Sequence, residues 1–289
     1  MKKQHSNTRL LCQLSAVAAL VLSGNAMADE AFSADSKWMT GDWGGERTKL
    51  IEQGIDIKAD YVGEMGANLH GGYNDDKTGR YSDQFGLGVA FDLQKLLGWD
   101  NTQAKIQLTN RNGQNISNDR IGDPRAGTLS SSQEVYGRGH MVRLTQLWVQ
   151  HQFLDGKLDV KAGYFGEGED FNTFPCDFQN LAFCGSQVGN WATGIWYNWP
   201  VSQAALRIKY NITPELYAQI GAYNQNPSQL EHGNGFKLSG SGTKGTVLPV
   251  ELVWSPKLNS LPGEYRVGYY KSTADANDVR KDVNGQDAA

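Results

Sequence analysis

The chain has 289 residues, a formal net charge of −4 and charged side chains at 20% of its positions. This acidic balance argues against nucleic acid as a partner, because phosphates require a basic surface. The sequence is rich in glycine and aromatic residues and modest in aliphatic ones. That composition argues against a soluble domain of this length built around one large apolar core.

The first 28 residues have the organisation of a secretory signal peptide. Three basic side chains come first, an apolar run follows over residues 10–22, and Ala26-Met27-Ala28 meets the small-x-small rule for cleavage. Removal of this segment leaves 261 residues with a formal net charge of −7. The apolar run is too short to span a bilayer comfortably, and no later run approaches about 20 apolar residues, so we expect no transmembrane helix.

Two long segments, residues 55–69 and 81–93, alternate apolar and polar side chains. A period of two places these sets on opposite faces of a sheet. In the first segment the apolar set is Ile55, Ile57, Ala59, Tyr61, Met65, Ala67 and Leu69, and the polar set includes Asp56, Lys58, Asp60, Glu64 and Asn68. A two-faced wall of this kind is typical of a membrane barrel with a water-filled interior.

Seven further strands are predicted, at residues 102–112, 141–154, 157–165, 201–212, 215–224, 247–256 and 264–272. A turn and a short helix of about residues 45–53 precede the first strand, within residues 29–54. We therefore predict an all-β fold, a transmembrane antiparallel β-barrel of the outer-membrane type that occupies residues 55–289.

Connection lengths assign the two edges of this barrel. Outer-membrane barrels have short turns on the periplasmic edge and long loops outside. The turns at Asp155-Gly156 and Thr213-Pro214 should then be periplasmic, with two-residue hairpin geometry at the first. The long connections 113–140, 166–200 and 225–246 fall outside, and we expect residues 166–200 to form one ordered loop folded against or into the interior.

Nine strands cannot close an antiparallel barrel, because bacterial single-chain barrels have even strand numbers. We therefore expect the sequence to be truncated, with several strands after Ala289.

Cys176 and Cys184 are the two cysteines that follow the signal peptide. In an oxidising envelope a disulfide is the favoured interpretation, and free thiols or half of a metal site are the alternatives. No histidine or third cysteine lies nearby to complete a zinc site, so we predict no bound metal.

The segment Gly41-Asp42-Trp43-Gly44-Gly45, followed by Arg47, Leu50, Gly54 and Ile55, resembles the N-terminal signature of the carbohydrate-selective porins of the OprB family. The resemblance extends over essentially the whole chain after the signal peptide. It implies a sixteen-stranded barrel in the outer membrane of a Gram-negative cell, through which glucose and related sugars diffuse into the periplasm. The implied partners are mono- or oligosaccharides and outer-membrane lipid, with no cofactor, and a homo-oligomer is left open.

A sugar presents hydroxyl groups and apolar C–H faces, so charged side chains beside aromatic rings suit it. The inward parity supplies six charged candidates, which are Asp60, Glu64, Lys105, Arg111, Arg207 and Lys209. The alternative is that these charges solvate the interior and brace one another. That alternative is favoured for any single residue, and sugar contact is favoured for the set.

Aromatic residues form a second group of candidates. Trp148 shares the parity of Gln146 and Gln150, so it should point inward. It could stack against a sugar, although packing beneath the inward-folded loop is slightly favoured. In the long loop, Trp191, Trp196, Tyr197 and Trp199 are candidates for a constriction, and an aromatic girdle at the lipid interface is the alternative.

Three loop acids, Glu167, Glu169 and Asp170, could mark a cation site or a negative vestibule, but a solvated loop face is the favoured interpretation. No nucleophile–base pair is evident, so an outer-membrane barrel enzyme such as a lipase is disfavoured and we predict that the chain is not an enzyme. A secreted sugar-binding β-protein is disfavoured because the outward apolar stripes would be exposed to water. A non-selective general porin remains the alternative to sugar selectivity.

Overall fold

The computed structural model describes residues 31–34, 36–126, 131–173, 175–192, 194–275 and 286. The predicted signal peptide lies outside the described residues. The chain forms two compact units, residues 1–56 and 57–289. Among the described residues, no helix is both long enough and apolar enough to cross a membrane.

The N-terminal unit contains a 3₁₀ turn, Trp43–Gly45, and helix α1, Glu46–Glu52. The predicted helix at residues 45–53 is therefore present. Positive φ angles at Gly44 and Gly45, 68° and 93°, allow the chain to turn directly into the helix. The guanidinium of buried Arg47 lies 4.7 and 4.8 Å from the ring centroids of Trp38 and Trp43. These cation–π contacts give the signature residues a structural role within this unit.

A nine-stranded antiparallel sheet forms the second unit, and its strands neighbour one another in chain order. The strands are β1 (Ile55–Asn68), β2 (Thr78–Asp92), β3 (Thr102–Gly113), β4 (Met141–Phe153), β5 (Leu158–Phe165), β6 (Gln203–Thr213), β7 (Leu216–Gln225), β8 (Gly245–Trp254) and β11 (Tyr265–Ser272). All nine predicted strands are confirmed, with ends that differ by at most three residues. A short hairpin of β9 (Lys257–Leu258) and β10 (Leu261–Pro262) lies between β8 and β11 and was not predicted.

The two faces of the sheet differ as the alternation predicts. One face carries exposed apolar side chains, among them Tyr61, Phe85, Ile106, Val149, Ile208, Val250 and Val267. The other face, here called the polar face, carries side chains buried beneath connecting segments, among them Glu64, Arg111, Asp159, Lys161, Arg207, Gln219 and Glu251. The chain has therefore placed its apolar side chains outside and its charges inside, the reverse of a soluble domain.

The connections carry the remaining elements. Helix α2 (Leu93–Leu97) follows β2 and begins at Asp92, whose carboxylate accepts hydrogen bonds from two backbone amides of its first turn. The longer connections contain a π-helical turn, Ser117–Ile121, helix α3 (Val188–Trp191) and the 3₁₀ turns Glu167–Glu169, Leu181–Phe183 and Pro227–Leu230.

Two short links lie on one edge of the sheet, as predicted. Pro214 and Glu215 join β6 to β7. The link at Asp155-Gly156 is longer than the predicted two-residue hairpin and spans residues 154–157. The φ angles of Leu154, Asp155 and Gly156 are all positive. The long connections 114–140, 166–202 and 226–244 all lie on the opposite edge. No strand occurs in the described part of residues 166–202, so the strand-like segment around Trp196 is part of a loop, as predicted.

Candidate functional site

The loop of residues 166–202, here called the long loop, packs on the polar face through its acidic residues. Lys161 of β5 lies 3.0 Å from Asp170 and 3.8 Å from Glu169. Arg207 of β6 forms a 2.6 Å ion pair with Asp159 and lies 3.8 Å from Asp170. The favoured interpretation of the loop acids as a solvated face is therefore wrong. Strands β5 and β6 carry buried cationic side chains there. A buried cation requires an acidic partner, and the loop acids provide it.

Glu167 is the most deeply buried of these acids. Its two carboxylate oxygens accept hydrogen bonds from the Gln203 amide at 2.9 Å and from the Tyr197 backbone N–H at 3.1 Å. Burial raises the pKa of Glu167 to about 8, and that of Tyr197 to about 12. Burial also raises the pKa of Glu169. The long loop is therefore held by buried acids of which one, Glu167, takes up a proton near neutral pH.

An apolar cluster lies between the long loop and the wall. Its buried members are Phe165, Phe171, Val188, Trp196, Tyr223 and Val247. Trp148 packs against this cluster, which matches the favoured interpretation that it lies beneath the loop. Trp196 is 2% exposed and Tyr197 is fully buried, so neither side chain faces open space. Two of the four aromatic constriction candidates are thus inaccessible to a solute.

The connection of residues 114–140 is anchored on β1–β3 by Gln133. The fully buried amide of this residue donates to Ser82 Oγ and to the Gln114 carbonyl, both at 3.0 Å, and accepts from the Ile116 N–H at 2.8 Å. Glu64 accepts from the Val135 N–H at 3.0 Å and is 6% exposed. The position of Glu64 under this connection gives it an anchoring role.

A cavity of about 270 Å³, here called the upper cavity, opens between the connection 114–140 and the long loop. Its lining includes Arg111, Glu134, Tyr136, Arg138, Asn190, Asn198 and Trp199. Gln84 of β2 accepts from Arg111 Nε at 2.8 Å and from the Trp199 indole N–H at 2.9 Å, so one amide orients both candidates. Asn198 Oδ1 is buried and accepts no hydrogen bond from any described residue.

Electrostatics in the upper cavity are mixed in sign. Burial raises the pKa of Glu134, an effect that the charge of Arg111 opposes, and burial lowers the pKa of Arg138. The cavity therefore offers guanidinium donors, a carboxyl group, amides and two aromatic rings within a single space. That combination suits a polyhydroxylated solute with an apolar face.

Below the upper cavity, part of the polar face carries charged side chains that form no ion pair with a described residue. Lys105 of β3 lies opposite Trp148 in the β3–β4 register and has no hydrogen bond or ion pair with a described residue. Asp60 of β1 is exposed and likewise unpaired within the described ranges. Lys209 contacts the Tyr217 ring at 5.3 Å. These three candidates remain open to a solute.

Cys176 and Cys184 form a disulfide within the long loop, in line with the favoured interpretation. Trp191 of the same loop is 66% exposed and lies outside the lining of the upper cavity.

Comparison of the chain with known proteins identifies its family. The carbohydrate-selective porin family, OprB, matches residues 76–289. The chain belongs to this family. It is 67% identical to Porin B of Pseudomonas aeruginosa over 287 residues, which are 99% of this chain and 63% of that protein. It is 45% identical to Putative porin QuiX of Acinetobacter baylyi over 92% of this chain and 62% of that protein.

A solved structure agrees with the sequence relatives. The high pH structure of Pseudomonas putida OprB superposes with a TM-score of 0.87 at 69% identity and covers 89% of this chain and 61% of that one. The chain therefore spans somewhat less than two thirds of the length of these OprB-family porins. The predicted family and the outer-membrane barrel fold class are both confirmed.

Within this porin wall, the predicted site residues divide into two groups. Arg111, Trp199, Asp60, Lys105 and Lys209 face open space or line a cavity. Glu64, Arg207, Trp148, Trp196 and Tyr197 are engaged by the two long connections. Strand parity located the strand residues and residue type located the loop aromatics, but neither could separate the two groups.

Most of the residues that line the upper cavity were not predicted from the sequence. Glu134, Tyr136, Arg138, Asn190 and Asn198 lie in connections without periodicity, where no pattern indicates which side chains converge. Gln84 has the polar parity of its strand in the sequence, but only the structure shows that it lies opposite Arg111 in the β2–β3 register.

Proposed function

We propose that this chain forms the wall of an outer-membrane channel for the passive, carbohydrate-selective diffusion of glucose-type sugars into the periplasm. The observation that carries the proposal is the upper cavity, where Trp199 and Arg111 are held by one amide beside Glu134. An aromatic ring covers the C–H face of a sugar, and charged groups exchange hydrogen bonds with its hydroxyls. The relatives in the OprB family support the same assignment.

Location in the outer membrane follows from the outward face. Apolar side chains such as Tyr61, Ile208 and Val250 are exposed along β1, β6 and β8. An exposed apolar band of this extent requires hydrocarbon in place of water, so outer-membrane lipid is the partner we assign to it. The edge with short links then faces the periplasm, and the upper cavity lies towards the outside.

Transport requires a path with binding strong enough to capture a solute and weak enough to release it. The upper cavity provides the first binding site on this path. Lys105 and Asp60 lie on the polar face below it and offer a donor and an acceptor that no described residue pairs. A solute can pass from one set to the other with no bond chemistry, which is consistent with a channel and gives no role to an enzyme.

Planar-bilayer conductance of the full-length protein tests the proposal. Glucose should reduce the current, and Trp199→Ala should raise the glucose concentration for half-block by about fivefold, since stacking on an aromatic ring is worth roughly 1 kcal/mol. Trp191→Ala is the matched control, because Trp191 lies in the same loop but is 66% exposed and outside the cavity. Its half-block concentration should stay within twofold of the parent.

Conductance that no sugar reduces would overturn the proposal. Block of equal strength by sugars and by unrelated neutral solutes of the same size would favour a general porin. Equal effects of Trp199→Ala and Trp191→Ala would remove the upper cavity as the selective site.

A further inference from the structure

A second polar cavity, here called the lower cavity, lies at the opposite edge of the sheet from the upper one. It measures about 180 Å³ and is lined by Asp92, Asn101, Gln103, Gln150 and Gln152 among others. Gln103 of β3 and Arg111 of the upper cavity are eight residues apart on one strand, which is about 27 Å at the rise of an antiparallel strand. The apolar band of an outer-membrane barrel is about 25 Å tall. The two cavities therefore stand at opposite ends of the wall.

The amides of the lower cavity are fixed by the fold. Asp159 accepts from Gln150 Nε2 at 2.7 Å and from Gln152 Nε2 at 3.3 Å. Asp159 itself is 1% exposed and held by Arg207 at 2.6 Å. Because the amide nitrogens are turned to this carboxylate, the amide oxygens of the two glutamines face away from it. Pre-oriented acceptors reduce the entropic cost of binding a solute.

Gln103 supplies the complementary groups. It lies directly opposite Gln150 in the β3–β4 register and is exposed, and its amide has no hydrogen bond with a described residue. Asp92, the one charged residue of the five named, already accepts hydrogen bonds from Gln94 N and Lys95 N. The free polar groups are therefore mainly neutral amides, which exchange hydrogen bonds with hydroxyls and do not select for charge.

We propose that the lower cavity is a second solute site, of neutral-amide character, that receives neutral hydroxylated solutes such as sugars at the periplasmic end of the channel. The proposal rests on the proposed function and extends it from one binding site to two. The lower cavity lacks an aromatic platform and guanidinium donors among its lining residues, so it binds more weakly than the upper cavity. Weak binding at the exit favours release.

One-sided addition of glucose to the reconstituted full-length protein separates the two sites. Porin added to one chamber sets the orientation, and the current noise gives the glucose association rate from each side. Gln103→Ala should slow association from the periplasmic side about threefold, and Gln103→Ala/Gln152→Ala about tenfold, as expected for the loss of one and two neutral hydrogen bonds. Association from the outer side should change less than twofold.

Gln107→Ala is the matched control, because Gln107 lies on the same strand and the same face but outside the lower cavity. It should leave the difference between the two sides unchanged. Variants whose two association rates fall equally, or not at all, overturn the lower site while the glucose block of the parent still supports the proposed function. A parent chain without sugar-induced noise from either side overturns both. An unaltered circular dichroism spectrum in detergent shows that the variants fold.

Discussion

Two groups of charged side chains on the same polar face have opposite surroundings. Under the long loop, Asp159, Lys161 and Arg207 are buried and paired with one another or with loop acids. On β1 and β3, Asp60 and Lys105 carry no ion pair with a described residue. Both groups have the same residue types and the same inward parity. The difference teaches that a connecting loop, rather than the strand itself, decides which charges are structural and which stay available to a solute.

Removing one member of the buried group should have the largest effect. Arg207→Met leaves Asp159 buried without its 2.6 Å ion pair, so we expect the free energy of unfolding to fall by about 3–5 kcal/mol. Urea unfolding in detergent, followed by tryptophan fluorescence, measures the loss. Asp159→Leu/Arg207→Met should recover part of it, because no charge is then left unpaired.

Lys209→Met is the control for this substitution. Lys209 lies two residues further along β6 on the same face, but it contacts the Tyr217 ring and no described carboxylate. Its loss should stay below about 1 kcal/mol. If Lys209→Met proved as damaging as Arg207→Met, the contrast between paired and unpaired charges would fail.

Acidity offers a second way to probe the buried group. The pKa of Glu167 is raised to about 8 by burial. Between the ordinary carboxyl value and about pH 8, the folded chain keeps a proton that the unfolded chain has released. The free energy of unfolding should therefore fall as pH rises through this window, by about 5 kcal/mol over the whole window.

Glu167→Gln should abolish this part of the pH dependence, since the amide does not ionise and can still accept a hydrogen bond. Unfolding at a series of pH values from 5 to 9 compares the two chains, with Glu215→Gln in the exposed β6–β7 link as the control. A slope that persists unchanged in Glu167→Gln would show that another group carries it.

The features of the fold that the sequence predicts are the local ones. Strand positions, the outward apolar face and the location of the long connections came from a period of two and from link lengths, because those features are local. The link at residues 154–157 was mispredicted, because Leu154 adopts a positive φ that its residue type does not favour.

The environment of the loop acids could not be predicted from local sequence patterns. Glu167 and Asp170 occupy a polar, aperiodic segment, which is typical of a solvated surface. Their actual partners, Gln203 and Lys161, come from other elements, and one of these partners is more than thirty residues away. Only the tertiary fold of the long loop brings these groups together. The upper cavity was missed for the same reason, since its lining comes from two separate connections.

The smallest of the expected effects tests the unpaired group. Lys105→Met removes a donor that supports no described hydrogen bond, so the free energy of unfolding should change by less than about 1 kcal/mol. If Lys105 contacts a passing sugar, the glucose concentration for half-block should rise about tenfold, the equivalent of one charge-assisted hydrogen bond. Lys157→Met, in the exposed link 154–157, makes the same change in net charge and should leave the block unchanged. A large loss of stability without a change in block would place Lys105 in the structural group, and the division of the polar face drawn from these contacts would then be wrong.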